Sequence, residues 1–196
     1  VQVSVQSAFG CGFEGPISEE RVLNMARTYV EAGLFNISLA DTAGHAHPDQ
    51  VERLFTSVLR LDPRVECTCH FHDTYGLGMA NIFAALRAGA TSFETSFAGL
   101  GGCPFAAHKG AAGNICTEEL VMLCEEMGVA TGVDLGTVAD GGRGRLGDDR
   151  YRDRGTDGGT SHNVAEPVGS QVDPARGHQR CPSGRSRKPI PSTFGD

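Results

Sequence analysis

Val65-Glu66-Cys67-Thr68-Cys69-His70-Phe71-His72-Asp73-Thr74-Tyr75-Gly76-Leu77-Gly78 reads as a strand that runs into a turn and then a helix. Its first residues are β-prone, and side chains two apart on a strand share a face. His70 and His72 therefore converge on one side of a sheet, where two imidazoles can grip one divalent metal. The turn at 73–78 puts them at the C-terminal end of their strand, the end at which α/β folds do their chemistry. An isolated pair of this kind is more often two partly exposed histidines with no ligand. The rest of the chain decides between the two.

Three more strand–helix units flank this one. The first strand covers about 1–9. Its helix is capped by Ser18, carries Glu19 and Glu20 in the first turn, buries Val22, Met25, Ala26, Tyr29 and Val30, and stops at Gly33. The second strand covers about 34–40. Its helix starts at Pro48, with Val51, Leu54, Phe55, Val58 and Leu59 on one stripe. The strand at 65–72 leads to a helix with Met79, Ile82, Phe83 and Leu86, closed by Gly89. The fourth strand, about 92–98, leads through a Gly-rich loop to a helix capped by Thr117, with Leu120, Leu123, Cys124 and Met127, closed by Gly128. Strands recurring about every 30 residues suit a parallel βαβ architecture. No G-x-G-x-x-G follows the first strand, which counts against a dinucleotide fold. A closed (β/α)8 TIM barrel takes eight such units and about 250 residues. The expected fold is α/β, a partial barrel of four β/α units.

Composition sets the outer limits. With 196 residues and 39% hydrophobic content, the chain can build one domain with a core. It has no apolar run long enough for a membrane span and no recognisable signal or transit peptide. It opens directly on a strand pattern and is read as starting inside a longer chain. A net charge of -7 argues against a nucleic-acid partner. Seven cysteines with no CxxC pair are not a disulfide framework, and a reducing, cytoplasmic setting is expected. The average hides a break near residue 140. Residues 1–140 hold 7 Lys+Arg against 17 Asp+Glu; residues 141–196 hold 10 against 7 and few large apolar side chains. That tail cannot bury enough surface to offset its ordering entropy. The expected organisation is a barrel domain at 1–140 and a disordered tail at 141–196. Arginine, glycine and proline rise together in the tail, as in a GC-rich gene read out of frame.

Three further segments sit at strand ends beside the histidines. Asp41, in Ser38-Leu39-Ala40-Asp41-Thr42-Ala43-Gly44, is either a base or a turn cap. Cys103 lies on the mobile-looking loop Ala98-Gly99-Leu100-Gly101-Gly102-Cys103-Pro104-Phe105, where a lone cysteine is more often inert than catalytic. Asn114, after Gly113, can offer an amide oxygen to a hard cation or cap a turn.

Together these segments resemble the 3-hydroxy-3-methylglutaryl-CoA lyase family, among the metal-dependent lyase and acyl-CoA aldolase barrels. The likeness rests on Phe9-Gly10-Cys11 with Glu14-Gly15, Ile37-Ser38-Leu39-Ala40-Asp41-Thr42, His70-Phe71-His72-Asp73-Thr74-Tyr75-Gly76, the 98–105 loop, Gly113-Asn114 and Thr131-Gly132-Val133-Asp134. It covers about 1–140, the C-terminal half of such a barrel. It implies that His70, His72 and Asn114 ligate Mg2+ or Mn2+, with His70 also moving protons. It also implies that Cys103 closes over an acyl-CoA substrate, that Asp41 meets the substrate hydroxyl, and that Ser38 touches the substrate. The implied reaction is retro-Claisen cleavage. The ion acidifies a tertiary hydroxyl, a base removes its proton, the C–C bond breaks, and an acid protonates the acetyl-CoA enolate. Products would be acetyl-CoA and a keto acid such as acetoacetate. A homodimer is the family expectation. The family's Arg-Asp pair and a nearby Glu fall outside this chain, and His45 and His47 are unusual in their loop. The alternatives are a condensing synthase of the isopropylmalate or citramalate type and a non-catalytic fragment.

Overall fold

Parallel pairing dominates the backbone. The computed structural model describes residues 1–102 and 112–146, with backbone alone over 142–146. Four strands, β1 (Gln2–Val5), β2 (Asn36–Asp41), β3 (Glu66–Phe71) and β4 (Ser92–Glu94), form one sheet in the order β1-β2-β3-β4. Every neighbouring pair is parallel. Between them run α1 (Glu19–Glu31), α2 (Pro48–Leu59) and α3 (Gly78–Ala88), followed by α4 (Thr117–Glu126) and α5 (Leu135–Leu146).

Strand parity sorts the sheet into two faces. Val5, Ile37, Leu39, Cys67, Cys69 and Phe71 are buried against Val22, Ala26, Val51, Leu54, Phe55, Val58, Ile82 and Ala85 of the helices. The opposite face is polar: Gln2, Ser4, Asn36, Ser38, Thr68, His70 and Glu94 share its parity through the strand register. Gln2 Nε2 on β1 donates to Glu94 Oε1 on β4 at 2.9 Å, although these are the two outer strands. The sheet is curled about its polar face, as one side of a barrel would be.

The helix boundaries follow their sequence signals. Ser18 Oγ accepts from Arg21 N–H, and Pro48 opens α2. Gly33 (φ +79°) and Gly89 (φ +99°) take the left-handed conformation that ends α1 and α3.

Several expectations need correction. β1 ends at Val5 rather than 9, where the chain turns with Ser7 at φ 53°, and β4 ends at Glu94 rather than 98, because the chain turns through a 3-10 segment, Phe97–Gly99, with Ala98 at φ 52°. Cys116, not Thr117, caps α4; the Thr117 hydroxyl is taken by Thr95 Oγ1 at 2.7 Å. Met25, Phe83 and Met127 lie on apolar stripes yet are exposed, because nothing described covers those helix flanks. At the end of the described residues, a local cap starts the last helix. Asp134 Oδ1 accepts from both the Thr137 N–H and hydroxyl at 2.8 and 2.7 Å, nucleating α5. Val138 is buried, and the helix propagates through the glycines to Leu146. The remainder of the tail, 147–196, lies outside the described residues.

Candidate active site

β3 delivers the histidines. His70 is its penultimate residue and His72 follows its end, while Phe71 between them points into the core. The two Nε2 atoms are 3.2 Å apart, and the rings are tilted at 41°. Both atoms are on the polar face, as strand parity requires. His72 is buried, and burial, then the neighbouring His70, pushes its pKa below the usual imidazole value, with the Asn114 amide opposing. Its Nδ1 nonetheless has no partner in hydrogen-bond geometry.

The segment after the Gly-rich loop brings Asn114 to the pair. Asp73 N–H donates to Gly113 O, and Ile115 N–H donates to Phe71 O, both at 3.1 Å. His72 and Asn114 therefore face each other across an antiparallel bridge. On the other side, Ser96 and Cys116 form a parallel bridge. The loop's neck is narrow: a Cβ on Gly113 would sit 2.6 Å from Gly101 C and 2.8 Å from its Cα. Gly113→Ala should force the neck open, cost about 1–3 kcal/mol, and displace Asn114. Urea denaturation and Mn2+ titration of this variant measure the two effects. An unchanged unfolding midpoint and affinity would contradict the close-approach argument.

Asp73 caps α3 from a distance. Its Oδ1 accepts from Gly78 N–H at 2.7 Å, while Gly76 (φ +74°) turns the chain between them. The D-T-Y-G run after the histidines thus builds the turn that anchors them.

Two acidic residues enter that the sequence reading did not single out. Glu94 Oε2 lies 2.5 Å from His70 Nδ1. Glu118 is fully buried and accepts from Ala98 N–H at 3.0 and 3.1 Å and from the Cys116 thiol at 2.9 Å. It clamps the strained Ala98 turn where the Gly-rich loop departs. Glu94 carried a usable signal, an acidic side chain inside an expected strand, Ser92-Phe93-Glu94-Thr95. Glu118 looked like an ordinary first-turn helix acid.

The other expected residues are spread around this centre. Ser38 is buried on the same face as His70, pairing with Thr68. Asp41 pairs with Phe71, so its parity is that of the core side. Its oxygens accept from His45 N–H (2.8 Å) and Ala46 N–H (3.0 Å). Cys103 lies outside the described residues. His45 stacks on Tyr75 with ring centroids 5.8 Å apart.

Asp41 gives a pH prediction. Burial, opposed by the His45 and Ala46 N–H groups, raises its pKa from 3.8 to about 6. The folded state therefore holds this proton more tightly than the unfolded chain. Its stabilising contribution is complete below pH 3.8 and is lost as pH rises through about 6, a span worth about 3 kcal/mol. Asp41→Asn should lack this decline. Urea midpoints of both proteins between pH 4 and 7 provide the comparison; parallel curves would refute it.

The donor set fits a divalent ion. Two ligands at right angles with bonds of about 2.1 Å sit about 3 Å apart, close to the Nε2 separation. Two imidazole lone pairs cannot face one another at that distance without a proton or a cation between them. Among the described residues, no His, Cys, Asp or Glu makes a three-residue metal cluster with the pair. Asn114 is the third donor that the fold brings to it.

Residues 2–143 match the HMGL-like family model. The chain belongs to the HMGL-like family. It is 44% identical over 138 residues to the hydroxymethylglutaryl-CoA lyase of Pseudomonas mevalonii, covering 70% of this chain and 45% of that protein. It is 46% identical over 136 residues to the (R)-citramalyl-CoA lyase of Chloroflexus aurantiacus, covering 69% and 42%. An HMG-CoA lyase from Acinetobacter baumannii, solved with coenzyme A and 3-methylmalate, superposes with a TM-score of 0.68 at 43% identity, over 85% of this chain and 55% of that one. The HMGL-like chain thus spans less than half the length of these two curated relatives. The barrel architecture and the membership in a family of carbon–carbon lyases stand on these likenesses.

Proposed function

We propose that this chain carries the metal-binding half of a lyase that cleaves a C–C bond in a 3-hydroxyacyl-CoA. The observation that carries the reading is the His70–His72 pair, 3.2 Å apart at the C-terminal edge of a parallel sheet, with Asn114 bridged beside it. His70, His72 and Asn114 would hold Mg2+ or Mn2+. When bound, such an ion lowers the pKa of a coordinated hydroxyl and stabilises charge on a neighbouring carbonyl oxygen. Ser38 is proposed to contact substrate from the floor of the same face. His70 is proposed to share in proton transfer. Asp41, titrating about 6, has a carboxyl suited to exchange a proton near neutral pH. It is the least directly placed of the group, because its oxygens are committed to the β2–α2 turn. Cys103 is proposed, on the family resemblance, to close over the substrate and assist protonation of the enolate.

The substrate is proposed at two levels. A 3-hydroxyacyl-CoA with a tertiary hydroxyl is common to both relatives' chemistry. The 3-hydroxy-3-methylglutaryl thioester is favoured by the Gly101-Gly102-Cys103-Pro104 run, whereas the comparable identity to a citramalyl-CoA lyase keeps that thioester as the second reading. A dimeric, cytoplasmic protein is proposed as well, on resemblance and on the free buried thiols Cys67 and Cys69.

The test is a chimera in which residues 1–140 replace the matching half of the Pseudomonas mevalonii lyase. Expected is Mn2+-dependent release of acetyl-CoA, with HMG-CoA turned over faster than citramalyl-CoA. A folded, Mn2+-binding chimera that releases acetyl-CoA from neither thioester would overturn the proposal.

A further inference from the structure

Both nitrogens of the His70 ring are in use. Nε2 faces His72, and Nδ1 meets Glu94 Oε2. Glu94 closes β4 directly beside His70 in the β3–β4 register, so the two side chains leave the sheet on the same face. The second carboxylate oxygen accepts from Gln2 Nε2 at 2.9 Å, reaching back to the first strand. Glu94 is thereby held at both oxygens, one by β1 and one by the histidine.

An ionised carboxylate only accepts hydrogen bonds. The hydrogen on His70 must therefore sit on Nδ1, which leaves Nε2 of the neutral ring as a lone pair pointing toward His72. A neutral histidine with nothing on Nδ1 favours the opposite tautomer, with its hydrogen on Nε2, where it would block a ligand position. The side chains of His70 and Glu94 are 27% and 41% exposed, so their Coulomb attraction adds little to stability. What the contact supplies is direction. A metal-ligating histidine needs such a partner on its far nitrogen to fix ring and tautomer.

We infer that Glu94 is a positioning residue: its carboxylate fixes His70 in the Nδ1–H tautomer and aims the Nε2 lone pair at the position shared with His72, while Gln2 holds the carboxylate in place. The inference deepens the metal-site reading and rests on it for the affinity measurement alone.

The test uses the full 196-residue chain, labelled with 15N and free of metal, at a pH where the imidazoles are neutral. Long-range 1H–15N correlation should show His70 with a protonated Nδ1 and a lone pair on Nε2. In Glu94→Ala the pattern should shift toward Nε2–H, and Mn2+ affinity measured by EPR should fall about 10- to 100-fold. Glu94→Gln, which still offers a carbonyl oxygen, should restore the tautomer and part of the affinity. Gln2→Ala should move both readouts the same way by a smaller amount. An unchanged His70 tautomer in Glu94→Ala, or a changed tautomer with Mn2+ affinity within twofold of wild type, overturns the inference. Wild type that takes up no Mn2+ would sink the metal reading alone, and the ring spectrum would still decide whether Glu94 sets the tautomer.

Discussion

Replacing His70 or His72 with alanine should abolish Mn2+ binding by the chain and cut thioester cleavage by the chimera about a thousand-fold or more. The size follows from the chemistry. Two of the three donors assembled here are these imidazoles, and an ion that acidifies a hydroxyl and stabilises enolate charge supplies several kcal/mol, each 1.36 kcal/mol being a factor of ten in rate. Neither substitution should unfold the protein, because both rings lie on the polar face rather than among the buried apolar side chains. The decisive measurements are EPR titration of Mn2+ and acetyl-CoA release, with circular dichroism as the fold control. Retention of a tenth of wild-type turnover in either folded variant would remove the pair from the reaction.

Phe71→Ala should cause the largest loss of stability, about 3–5 kcal/mol against a total of about 5–15 for a domain. Phe71 is fully buried and packs edge-on against Phe9 (5.6 Å between centroids) and Phe55 (5.9 Å), which stack with each other. The residue also sits between the two histidines, and its carbonyl accepts from Ile115 N–H beside Asn114. Its anchoring therefore sets the parity that turns both imidazoles to one face. A variant that still folds should bind Mn2+ more weakly than wild type. Phe71→Leu, which keeps most of the volume, should lose less stability and retain binding. A urea-derived loss below 1 kcal/mol for Phe71→Ala would show that this cluster is not the anchor.

The residues that could be read without a structure are those whose evidence is local. Val22, Ala26, Val51, Leu54, Phe55 and Val58 recur at helical spacing, and each is buried. Gly33 and Gly89 end helices because the left-handed conformation costs them nothing. The histidine pair follows from the two-residue period of a strand. The same period could have warned that Asp41 faces away from Ser38 and Ala40, so its capture by the turn was legible in principle. Met25 and Phe83 fit their stripes but are exposed, since a stripe does not say how wide the covering surface is.

The amino-acid sequence by itself determined the strand–helix alternation and the shared face of His70 and His72, because each depends on neighbours within a few positions, and parallel pairing followed from the alternation. Only the tertiary structure decided that Glu94 lies on His70 and Gln2 on Glu94, that Asn114 is bridged to His72, and that Glu118 clamps Ala98. Those contacts join residues 20 to 92 positions apart. They depend on strand register, on the curl of the sheet and on the path of the chain after the Gly-rich loop, and no local period encodes any of the three.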